Sequence, residues 1–238
     1  DTDDLVELPD SESARILDEI RQFKTLRQSF REHGFLYKRG ILMYGPPGSG
    51  KTCTLQLLLK MLVEEHDSIA VLVERPHIAA SCLQDLRRIE PERQIVAILE
   101  DLDALCERYG ESEYLALLDG ESQINNVVYI ATTNYPERLD RRFVDRPSRF
   151  DTIREIGMPT AAARRTYLEK KVPELKPAGL SEYVTASDGY SIAHLRELII
   201  LTRCFGVPLE DAAARINVTR DKKHSSENFS PRKAIGFP

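Results

Sequence analysis

The sequence predicts an α/β protein: a parallel sheet covered by helices on both faces, followed by a small all-helical lid domain. Two observations carry that prediction. Short apolar runs alternate with helical patterns as far as residue 158, the mark of buried parallel strands joined by crossover helices. From residue 160 onward only helical patterns remain. Composition agrees, because 238 residues with 42% hydrophobic and 30% charged side chains suit one large globular domain with or without a satellite.

Taken in order, "SESARILDEIRQFKTLRQSFREHG" (11–34) sets Ile16, Ile20, Phe23 and Phe30 near helical spacing, with Ser11 or Ser13 as cap and Gly34 as stop. "RGILMYG" then reads as a buried strand, "SGKTCTLQLLLKMLVEEH" as a helix and "SIAVLVE" as a second strand. "HIAASCLQDLRRIEPE" is helical, "QIVAILED" is a third strand, "ESEYLALLDG" a helix and "NNVVYIATTN" a fourth strand. "DTIREIGMP" gives a fifth, and helical patterns follow over 160–171, 181–187, 191–205 and 209–217. The implied domains are an N-terminal linker and helix (1–38), the α/β domain (39–158), the helical lid (159–217) and a polar tail or linker (218–238).

Charge and cysteine usage narrow the class. The net charge is −5 with Lys and Arg scattered, so nothing suggests a general affinity for nucleic acid or an acidic membrane. No apolar run approaches the roughly 18 residues of a membrane span, and no signal peptide is visible. Cys53, Cys82, Cys106 and Cys204 form no CxxC pair, so reduced thiols in a cytoplasmic protein are the expectation. The chain opens "DTDD" without Met, which leaves room for a domain ahead of it.

"GPPGSGKT" (Gly45, Pro46, Pro47, Gly48, Ser49, Gly50, Lys51, Thr52) follows a strand and opens a helix, the context a phosphate-binding loop requires. Glycines let backbone N–H groups converge on phosphate oxygens, and the helix N-terminus adds partial positive charge. ATP and Mg²⁺ are the ligands this pattern calls for. Lys51 is expected on the β- and γ-phosphates, the Thr52 hydroxyl on Mg²⁺, and Cys53 is the next contact along the helix.

The third strand ends "ILEDLDAL", with Glu100 directly before Asp101. Such acids beside a phosphate site hold a metal and prime a water, and the strand carrying them is expected next to the loop strand. Asp103 reads as a structural or helix-capping acid. Beyond them come "IATTN", ending in Asn134, then "LDRRFVDRPSRFD" and "GYSIAHL".

In this order the motifs resemble the AAA+ ATPases, on the branch with paired arginines before "FD", over roughly residues 38–205. The resemblance implies that Glu100 falls on the metal acid and Asp101 on the water-polarising acid. Most members write Asp-Glu; the mitochondrial translocase of the Rieske protein is similar to this chain in writing Glu-Asp. Asp101 is one methylene shorter than Glu, so its carboxylate sits roughly 1.3 Å further back. A misplacement on the order of 1 Å can cost about 100-fold in rate. Asn134 resembles the family's sensor of the attacking water, against the plainer reading of a strand-end turn. Arg146 and Arg149 resemble arginine fingers that act on a neighbour's nucleotide, against an ion-pair reading with Asp145 and Asp151. Trans-acting arginines imply a homo-oligomeric ring, most simply a hexamer. In "GYSIAHLREL", Gly189, Ser191, Ala193 and Leu195 match the lid motif and Ala193 is expected against the nucleotide. His194 departs from it, and Arg196 is expected on another face of that helix. Segment 5–9 is expected to close over adenine.

The loop after the second strand, "VERPHIAASC", lacks the aromatic-Gly pair with which ring translocases grip polypeptide. His77 and Ile78 remain, and a turn into a helix accounts for both. Tyr109 and Tyr114 are the other pore candidates, though Tyr114 stands at helical spacing with Leu117 and Leu118 in a core pattern. Three functions follow: a Mg-ATP-driven ring that remodels a protein partner; a nucleotide-gated assembly scaffold with slow or no hydrolysis; and, least favoured without Trp or a basic patch, a nucleic-acid loader.

Overall fold

The structure, a computed structural model, describes residues 5–8, 11–119, 123–146 and 148–220. Helix α1 (Glu12–Thr25) is capped by Ser11, whose hydroxyl accepts the Ala14 N–H at 3.1 Å and donates to the Leu8 carbonyl at 2.6 Å. The single helix expected over 11–34 is broken: Leu26 ends α1 by bonding back to Phe23, and α2 (Arg27–Glu32) starts afresh. The break folds Phe30 back so that its ring meets Phe23 and Tyr37 edge-on at 5.6 and 5.4 Å, an aromatic cluster a straight helix could not make.

Five strands, β1 (Lys38–Tyr44), β2 (Ile69–Leu72), β3 (Ile95–Leu99), β4 (Val127–Thr133) and β5 (Thr152–Glu155), form one sheet in the order β2-β3-β4-β1-β5. All its pairings are parallel. The α/β prediction holds, with one correction: the acid-bearing strand is not next to the loop strand, because β4 lies between them.

Alternation along the strands divides the core. Ile41, Met43, Val96, Ile98, Val128 and Ile130 pack against α1 and α3 (Lys51–Leu59). Leu42, Ala97, Leu99, Tyr129 and Ala131 face α4 (Pro76–Ile89), α5 (Leu102–Tyr109) and α6 (Glu111–Asp119). Tyr114 is core, fully buried, with its hydroxyl on the Glu74 carbonyl at 2.6 Å. Helix α4 starts at Pro76, so His77 and Ile78 lie in its first turn.

Helices α7 (Ala161–Lys171), α8 (Pro177–Ala186), α9 (Ile192–Ile199) and α10 (Leu209–Arg220) enclose a third cluster around Leu168, Tyr190, Leu195 and Leu198. Val6 and Leu8 of the N-terminal segment pack against it. Helices α3 and α9 each continue as a wider π-type coil, over Lys60–Glu65 and Ile200–Cys204. Among the described residues no helix is long and apolar enough to cross a membrane.

Candidate nucleotide site

The sheet's register builds the site. Tyr44 pairs with Thr133 and Leu99 with Ala131, so the turns after β1, β3 and β4 emerge side by side at the C-terminal edge. Ligands of open α/β sheets bind at that edge. A cleft of about 710 Å³ opens there, walled by the phosphate loop, both acids, Thr132, Asn134 and the lid.

The loop fits phosphate on its own geometry. Gly48 has φ 77°, and a Cβ there would stand 3.1 Å from the Ser191 hydroxyl of the lid. Gly50 (φ 111°) stands at the N-cap of α3 and brings no side chain over the helix N-terminus, the end that attracts anions. The Ser49 hydroxyl is buried with no protein partner. Lys51 donates to the carbonyls of Gly45 and Pro46 at 2.7 and 3.0 Å. Burial pushes its pKa below the ordinary lysine value, against the pull of the Asp101 and Asp103 carboxylates. An anion at the loop would offer that ammonium stronger partners than two neutral carbonyls.

Of the predicted residues, Pro47, Gly48, Ser49, Gly50, Lys51, Thr52, Cys53, Glu100, Asp101, Asn134 and Ala193 line the cleft. Gly45 and Pro46 stand behind it, as the acceptors of Lys51. Asn134 donates its amide to Asp101 Oδ1 at 3.3 Å. Asp103 stands apart from the cleft lining and accepts the Thr133 hydroxyl at 2.6 Å.

Arg146 and Arg149 do not line the cleft. Both turn to Asp119 at the end of α6, at 3.9 and 3.7 Å, rather than to Asp145 or Asp151. Arg146 keeps 62% of its side chain exposed. Arg149 is 7% exposed and donates to the Arg142 carbonyl, while its buried Nε makes no hydrogen bond and only the longer ion-pair contact with Asp119. Asp151 instead accepts the Gly40 N–H at 2.8 Å.

The lid holds the residue that the sequence reading placed elsewhere. Arg196 lines the cleft with Ile192 and Ala193. His194 turns back instead: its Nδ1 meets the Ser191 hydroxyl at 3.0 Å and N–H at 3.3 Å, closing a capping box on α9. The spacing held the signal, since a residue three beyond Ala193 shares its helical face. Leu5, Val6, Leu8, Leu57 and Tyr167 form the apolar end of the cleft.

Residues 41–158 match the family described as ATPase family associated with various cellular activities (AAA). This chain carries an AAA+ P-loop ATPase domain. It is 30% identical over 190 residues to the Cell division cycle protein 48 homolog of Archaeoglobus fulgidus, covering 71% of this chain and 25% of that relative. Against the human ATPase family gene 2 protein homolog A it is 31% identical over 194 residues, 71% of this chain and 21% of the relative. The Probable mitochondrial chaperone bcs1 of Schizosaccharomyces pombe matches over 216 residues at 30% identity, 84% of this chain and 47% of its own length. The chain thus spans less than half the length of each of these relatives.

Proposed function

We propose that this AAA+ chain binds Mg-ATP and hydrolyses it within a homo-oligomeric ring, most simply a hexamer, that remodels a protein partner. The observation that carries the proposal is the convergence of Lys51, Thr52, Glu100, Asp101 and Asn134 on one cleft, while Arg146 stands outside it and exposed. Lys51 and the N–H groups of α3 bind phosphate, and Ala193 and Arg196 close the lid side. Among the described residues no three His, Cys, Asp or Glu side chains converge on a metal position. Thr52 would hold Mg²⁺ directly and Glu100 would hold it through its water shell. The ion supplies charge neutralisation at the phosphates. Asp101, steadied by the Asn134 amide, accepts the proton of the attacking water. Arg146, and Arg149 once drawn from Asp119, complete the neighbour's site.

The domain limits proposed are those of the sequence, with the lid beginning near residue 159 and the tail at 218, of which 221–238 lie outside the described residues. The chaperone named among the relatives supports a protein as the partner and allows a mitochondrial address beside the cytoplasmic one. The Glu-Asp order likewise supports the likeness to the translocase of the Rieske protein. One specific observation favours the scaffold reading: α4 begins directly at Pro76 and no aromatic follows β2 to grip a polypeptide.

Steady-state phosphate release over a range of protein concentrations tests the proposal, on wild type, Asp101→Asn, Glu100→Gln and Arg146→Ala. Expected is turnover that rises with concentration and falls about 100-fold or more in Asp101→Asn and Arg146→Ala. ATP-driven assembly with no turnover above the Asp101→Asn background would leave the scaffold.

A further inference from the structure

Asp101 carries a backbone conformation that the rest of the cleft's non-glycine residues avoid. Its φ of 49° and ψ of 55° lie in the left-handed region. The other described non-glycine residues with positive φ, Asp67 and Asn126, sit in the turns ahead of β2 and β4 and outside the cleft. Left-handed backbone crowds Cβ against the carbonyl, and Asp and Asn are the side chains that enter it most readily. Such a conformation persists only where its surroundings over-determine it.

The surroundings are the last two residues of β4. The Asp101 N–H donates to the Thr132 hydroxyl at 3.1 Å, and Thr132 is 4% exposed on the cleft wall. The next hydroxyl, of Thr133, donates to Asp103 Oδ1 at 2.6 Å and accepts the Tyr135 N–H at 3.1 Å. Two consecutive hydroxyls therefore seize the turn between β3 and α5. No side-chain hydrogen bond from Asp101 caps α5, so its carboxylate stays turned to the Asn134 amide.

We propose that Thr132 is a positioning residue for Asp101. Its hydroxyl fixes the left-handed turn that aims this carboxylate into the cleft beside Asn134. The inference rests on the hydrolytic role proposed for Asp101, and it gives the Glu-Asp order a physical basis. The turn favours the short acid at position 101 and directs it by backbone geometry, where reach is one methylene less. Without the clamp, residue 101 relaxes toward ordinary φ, its Cα–Cβ bond swings, and the carboxylate leaves the water's position.

The test compares Thr132→Val, which keeps the β-branched shape and removes the acceptor, with Thr132→Ser, which restores a hydroxyl; Thr132→Ala is a second hydroxyl deletion should the Val protein not fold. Steady-state turnover and hydrogen exchange at the Asp101 amide are read on each. Expected for the hydroxyl deletions is a kcat lower by on the order of 10- to 100-fold with KM for ATP unchanged, and faster exchange at residue 101, with Ser close to wild type in both. Undiminished kcat or unchanged exchange in the deletions would overturn the inference, and so would an equal loss in Ser. Wild type without turnover would instead sink the hydrolytic reading, and the exchange measurement would then decide the positioning on its own.

Discussion

His194 stands where the lid motif was expected to continue, and its ring is spent inside its own helix. Nδ1 accepts from Ser191 while the Ser191 hydroxyl accepts the His194 N–H at 3.2 Å, an arrangement that needs the neutral imidazole. Burial first, and the Arg220 guanidinium second, hold its pKa below the ordinary 6.5. A base with a depressed folded pKa gives stability that is complete above its ordinary value and lost as pH falls through the lowered one. The protein's thermal midpoint should therefore drop as pH falls below the ordinary histidine value of 6.5. His194→Gln keeps a capping-box residue at the third helical position and should flatten that drop; an unchanged pH profile in the variant would show that the titration lies elsewhere. The phosphate loop was legible at this scale because its chemistry is local: a strand, two glycines of forced conformation, and Lys-Thr on a helix start. Arg196 was missed although its spacing of three from Ala193 sets both on one helical face. The left-handed backbone of Asp101 was not legible, because no periodicity reports it.

Among elements, β1 is the hinge of the site. It joins β4 on one side and β5 on the other, and Gly40 lets the Arg149–Phe150 backbone cross beside it. A Cβ at Gly40 would lie 1.9 Å from the Arg149 carbonyl oxygen, a backbone atom that cannot swing aside. Gly40→Ala is accordingly expected to destabilise by about 1–3 kcal/mol or more, read as a lower denaturant midpoint, and to disturb the arginine segment before the cleft. A midpoint equal to wild type would mean that this crossing is soft. The sequence made the strands visible through their apolar runs, and Gly40 looked like an ordinary strand residue. Helix α5 was not assigned from the sequence, where only Asp103 was read as a structural or helix-capping acid, yet Leu102 and Cys106 bury one stripe against the sheet. The break at Leu26 was equally hidden. Its stabilisation comes from Phe30 meeting Phe23 and Tyr37, residues that the chain brings together only after folding.

At the scale of the molecule, no local pattern could order the sheet, since β1, β3 and β4 are all apolar runs buried on both faces. The order β2-β3-β4-β1-β5 decides how the site works, because β4 enters between loop and acids with Thr132, Thr133 and Asn134 at its end. A single chain thereby supplies loop, acids, Asn134 and lid helices, while Arg146 stands outside the cleft and exposed. If the proposed ring is correct, each cleft borrows that arginine from a neighbour, and two dead chains should complement one another. Asp101→Asn retains an intact Arg146, and Arg146→Ala retains an intact cleft. At equal mixing, about a quarter of interfaces in a head-to-tail ring pair a sound cleft with a sound arginine. Turnover in the mixture should therefore rise well above that of either variant alone, measured as phosphate release after co-assembly with ATP. A mixture no more active than its components would place the arginine's contribution within its own chain, where its contact is Asp119.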